Sequence, residues 1–122
     1  MSTPADLVGL GMPPALANRI GNQPAAVTCA GTTLGTATAI TTSFSQLTAA
    51  SSQTGAILPS GASLGRMFIV NTVSSTSAVV YPPDANSTIN GGGAGSGLTV
   101  AQNKTAIFIR YSATLWFSVL TA

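Results

Sequence analysis

Turn-forming residues interrupt this chain so often that no segment outside its first residues keeps a helical period long enough to organise a core. The clearest apolar runs are Met67–Val73, Ala78–Tyr81, Leu98–Val100, Thr105–Tyr111 and Leu115–Leu120, each a few residues long and bounded by Gly, Pro, Asn or clustered Ser. Thr, Val and Ile are frequent in and around these runs. Their branched Cβ atoms suit a pleated strand and cost stability in a helix. The chain therefore reads as all-β.

Local spacing assigns the strands. Thr105–Tyr111 and Leu115–Leu120, joined by Ser112-Ala113-Thr114, read as a tight antiparallel hairpin. Met67–Val73 and Ala78–Tyr81 read as a second hairpin through Ser74–Ser77, ended by Pro82-Pro83, because proline cannot donate to a ladder. Met67–Val73 is apolar on both faces, which marks a strand that is sandwiched or interfacial. Between Thr28 and Gln53, alternation around Ile40–Leu47 predicts a strand pair. Ala56-Ile57-Leu58 leads into a turn at Pro59-Ser60-Gly61, and Thr88-Ile89-Asn90 is a further short strand. Seven or eight short strands predict an antiparallel β-sandwich or a small β-barrel, jelly-roll-like, since both architectures protect strand edges. No internal repeat of useful period is visible, which favours a compact knob over a filament.

Residues 1–27 have a different character and are expected to form an arm ahead of a β domain at 28–122. Asp6 can cap a first helical turn at Leu7–Leu10; Pro14 suits the start of a second, and Gly21 its end. Leu16 and Ile20, four residues apart, share a face, with Leu7, Leu10 and Met12 nearby. That apolar side must be covered, by the domain's own core or by a partner.

Charge narrows the function. There are four Lys and Arg, two Asp, no Glu and no His, so only 5% of side chains are charged. Histidine-based catalysis and His-containing metal sites are excluded, and neither an enzymatic activity nor a cofactor is expected. Asp6 and Asp84 lie far apart in the sequence, and Asp84 reads as a turn residue. Cys29, the single cysteine, reads as a small buried hydrophobe. The Gly91–Gly97 cluster lacks the G-x-G-x-x-G spacing and reads as a surface loop. Arg19, Arg66, Lys104 and Arg110 are scattered, so no nucleic-acid partner is expected. No apolar run approaches the ~18–20 residues of a membrane helix, and without a basic, apolar leader the expected place of synthesis is the cytoplasm. So sparse a surface charge points to burial in an assembly.

The segments Leu58–Gly65, Met67–Asn71, Val80-Tyr81-Pro82-Pro83 and Thr88-Ile89-Asn90-Gly91, together with Trp116, resemble a pattern recurrent in small structural proteins of tailed bacteriophages. Leu7–Pro13 and Leu16–Gly21 look like their N-terminal leader. The resemblance implies a virion component on the capsid surface, a head decoration or cement protein. It also implies a homotrimer, with the major capsid protein as partner. Leu7, Leu10, Met12, Leu16, Arg19 and Ile20 would then anchor the arm to the shell. The alternative is a tail- or head-fibre-associated module that binds receptor glycans through Tyr81, Tyr111 and Trp116, or through the Gly91–Gly97 loop.

Overall fold

The computed structural model describes residues 24–121. Ten strands follow one another as β1 (Ala25–Thr28), β2 (Thr38–Ala39), β3 (Phe44–Thr48), β4 (Gly55–Ile57), β5 (Met67–Thr72), β6 (Ala78–Tyr81), β7 (Thr88–Ile89), β8 (Leu98–Val100), β9 (Thr105–Arg110) and β10 (Leu115–Leu120). They form two sheets. Sheet A has the order β1-β3-β5-β9-β10-β7 and sheet B the order β2-β4-β6-β8.

From β1 to β6 the chain visits the two sheets in turn, and each visit lays a strand parallel to the one before. Ser45 stands beside Ala25 and then beside Val70 in sheet A, while Ala56 stands beside Thr38 and then beside Val80 in sheet B. These registers describe a coil whose turn takes roughly 18–25 residues, near the short end of known structural repeats. The chain is thus a short two-sheet β-solenoid. After β6 the winding stops: β8 runs antiparallel to β6, β9 to β5 and β10 to β9. β7 then pairs parallel with the first two residues of β10.

The all-β expectation holds, but the antiparallel sandwich or small barrel gives way to this mixed, largely parallel winding. The cause is visible at Ser74–Ser77. Val73 donates its N–H to Leu47 O at 3.1 Å; Ser74 Oγ accepts the N–H of Ala49 at 2.8 Å and donates to Thr76 O at 2.8 Å. The corner is stitched to the preceding coil and turns the chain into sheet B, so β5 and β6 are not a hairpin. The C-terminal hairpin β9–β10 forms as expected. β1 includes Ala25–Val27, which sequence grouped with the arm, and pairs along its whole length with β3.

Period-2 alternation sends Leu47, Phe68, Val70, Phe108 and Trp116 from sheet A into the interior, where Ala56, Val80 and Val100 of sheet B join them in one core. Phe68 and Trp116 meet with ring centroids 5.9 Å apart in a tilted arrangement. Arg110 bolts one end. Its Nη1 donates to the carbonyls of Ser60 and Ala62, and its Nη2 to that of Ala113, tying the loop after β4 to the β9–β10 hairpin.

Candidate interaction surface

The same alternation that fills the core directs the intervening residues of sheet A outward. Register then aligns them. Phe44, Ile69, Ile107 and Val119 form one row across β3, β5, β9 and β10, and Met67, Ile109 and Phe117 form a second across β5, β9 and β10. Tyr111 extends the second row by stacking on Phe117 with ring centroids 5.1 Å apart. Tyr111 and Val119 are each 64% exposed and Met67 51%. The adjoining row, Gln46, Asn71 and Thr105, is polar; Asn71 Nδ2 donates to Thr105 Oγ1 at 3.0 Å and to Lys104 O at 3.1 Å.

The outer face is therefore divided into an apolar half and a polar margin. None of the four charged residues among the described residues, Arg66, Asp84, Lys104 and Arg110, stands in the apolar rows. Arg66, just ahead of β5, turns to the side opposite these rows, with its guanidinium 4.7 Å from the centre of the core Phe68 ring and Nη2 donating to Ser43 Oγ. A neutral apolar face of this kind offers no charge to a phosphate, and its removal from water against another apolar surface is favourable.

The aromatic residues singled out in the sequence do not converge. Trp116 is fully buried in the core. Tyr81 is half-buried on the outer side of sheet B, its ring beside Gly55 and Gly97 and its Oη donating to Thr32 O at 2.7 Å. Tyr111 alone belongs to the exposed patch. Leu7, Leu10, Met12, Leu16, Arg19 and Ile20 lie outside the described residues. The patch residues that sequence reasoning missed are Phe44, Ile107, Ile109, Phe117 and Val119. The signal was present in Met67–Val73, apolar on both faces, but its neighbours were set by long-range pairing.

The remaining candidates carry little chemistry. Cys29 is buried, and burial pushes its thiol above the usual range, as expected of a small core residue. An open cleft of about 460 Å³ is lined by Ile40, Thr41, Ile57, Leu58, Pro59 and Pro83 among others, and no titratable side chain among the described residues borders it. Residues 91–97 form a largely exposed loop, tied down where Gly95 donates its N–H to Ser87 O at 2.8 Å.

Asp84 is the turn residue that sequence anticipated. Its Oδ1 accepts Ser87 Oγ–H and the Asn86 N–H, both at 2.9 Å, and these bonds hold the carboxyl below its ordinary range. A depressed folded-state pKa means the turn is favoured above the unfolded value and loses that support as pH falls through the folded one. Acid titration should therefore move the Asn86 and Ser87 amide resonances only at a pH below the ordinary aspartate range. Asp84→Asn should abolish that movement, and an unchanged titration in the variant would assign it elsewhere.

Comparison of the chain with protein-family models, curated proteins and solved structures finds no match.

Proposed function

We propose that this chain is a non-enzymatic virion protein that decorates and stabilises a phage capsid. It holds the major capsid protein through its N-terminal arm and associates with itself, as a homotrimer, through its β-solenoid. The observation that supports this reading most is the neutral apolar half of sheet A. Single exposed apolar residues are ordinary, but two aligned rows in a chain with 5% charged residues belong against protein. The resemblance of the leader and of the Pro- and Gly-rich segments to phage structural proteins supplies the partner. Repetition of shallow apolar anchors over several subunits gives avidity without a deep site on any one.

The test is made on the complete chain. Leu16→Asp combined with Ile20→Asp places two carboxylates at positions that the sequence spacing predicts to share an apolar side, where transfer into an apolar contact is costly. Co-sedimentation with phage heads that lack this protein should weaken at least about tenfold, equivalent to ~1.4 kcal/mol. Far-ultraviolet circular dichroism should stay unchanged. Undiminished head binding would refute the anchoring role of the arm.

A second reading, a glycan-binding module associated with tail or head fibres, is favoured by one observation, the exposed Tyr111–Phe117 ring pair. Saturable binding on a glycan array, lost in Tyr111→Ala, would establish it in place of the first.

A further inference from the structure

We infer that the apolar rows of sheet A are the surface through which copies of this chain meet around a three-fold axis, the occupant being the apolar rows of the neighbouring copies. The inference rests on the self-associating reading above and names the surface it uses. Three observations carry it.

The first is size. The exposed parts of Phe44, Met67, Tyr111, Phe117 and Val119, with the flanks of Ile69, Ile107 and Ile109, amount to roughly 500 Å² of apolar surface. Three such faces gathered on one axis bury roughly 1,500 Å² in all, within the range of specific protein interfaces, before any polar margin is added. The second is charge. Around a symmetry axis a patch meets copies of itself, so any charge on it meets its like. These rows contain none, and the charged groups of the described residues stand outside them.

The third is the state of the sheet's edge. β7 covers only Leu115 and Trp116 of β10, which leaves Ser118–Leu120 as an open edge where another strand could add. Asn90 occupies the start of that edge, at Ser118. Its Oδ1 accepts the Ser118 N–H at 2.8 Å, and its Nδ2 donates to Ser118 Oγ at 2.6 Å. A guarded edge beside an unguarded apolar face selects face-on contact over strand addition. Gln46, Asn71 and Thr105 then lie at the rim, where polar groups of an interface stay near water.

The experiment measures mass in solution by light scattering on the full chain at micromolar concentration. The wild type should have the mass of three chains, and Val119→Asp and Phe117→Asp should each have the mass of one. Thr99→Asp, exposed on sheet B, should remain an oligomer. The arm variant Leu16→Asp/Ile20→Asp should keep its oligomeric mass too, because the arm is not the occupant. A monomeric wild type would overturn the inference, as would oligomeric Val119→Asp or an arm variant that dissociates.

Should the charged variants fail to fold, Val119→Cys replaces them. A bis-maleimide should link it to a neighbouring copy, while Thr99→Cys, treated alike, stays unlinked. No cross-link at position 119 would count against the contact. Head binding separates this claim from the decoration reading. A monomeric Val119→Asp that still binds heads more weakly leaves both standing. Loss of head binding with the oligomer intact would place the shell on this face and overturn the inference.

Discussion

Trp116→Ala should lower the unfolding free energy by about 3–5 kcal/mol, a large part of the ~5–15 kcal/mol that holds a domain folded. The size follows from position. Trp116 is fully buried on β10, lies against Phe68 of β5, and in register faces Arg110 on one side and Ile89 on the other. Truncation would leave a ring-sized void where the antiparallel end closes the solenoid, and the void forfeits both transfer energy and dispersion contacts. With a urea dependence of ~1–3 kcal/mol per molar, the midpoint should fall by roughly 2 M. Circular dichroism is the probe, because Trp116 is the only tryptophan. Trp116→Phe should cost well under half as much. It keeps most of the ring contact and removes a buried indole Nε1 that has no hydrogen-bond partner among the described residues. Equal losses for the two variants would mean that ring packing is not what Trp116 contributes.

Gly55→Val is expected to be similarly damaging, for the opposite reason. Gly55 opens β4 inside the winding, donates its N–H to Gly31 O and accepts that of Ala30. A Cβ at this position would lie 2.8 Å from Ala30 O, 3.0 Å from Ala37 Cβ and 3.3 Å from the Tyr81 ring. Ala30 O is backbone and cannot rotate away, so the coils would have to separate. Overpacking of this kind costs about 3 kcal/mol at the upper end of its usual range. The denaturation midpoint should fall accordingly, and the Tyr81–Thr32 hydrogen bond should be lost from the tyrosine spectrum. Wild-type stability in Gly55→Val would show that β4 does not pack against the preceding coil as described.

Most of the strands were legible in the sequence because the signals that make them are local; β1 was not, since Ala25–Thr28 lacks a run of large apolar residues of its own. Thr105–Tyr111 and Leu115–Leu120 alternate and are separated by a short turn, and they form β9 and β10 as a hairpin. Asp84 and Cys29 were legible for the same reason, the one from its place in a turn and the other from the absence of any neighbour to activate it. The order of the strands was not legible. Ser74–Ser77 has the composition of a hairpin turn, and what makes it a corner is the bond from Ala49 to Ser74, a residue 25 positions away. The repeat was hidden because successive coils differ in length; the Pro59–Arg66 segment expands one of them, so no fixed period survives. Trp116 could be read as core from its apolar strand. Phe44 could not be read as part of a patch, because only the parallel pairing of β3 with β5 brings it beside Ile69.

Imaging the complete protein on phage heads tests the decoration claim most directly. Purified protein is mixed with heads that lack it and, separately, with isolated tails; both are sedimented, and the pellets are examined by cryo-electron microscopy. Saturable binding to heads is expected, with density repeating at equivalent capsid positions and three chains in each. Binding confined to tails, or scattered on heads without regular positions, would contradict it.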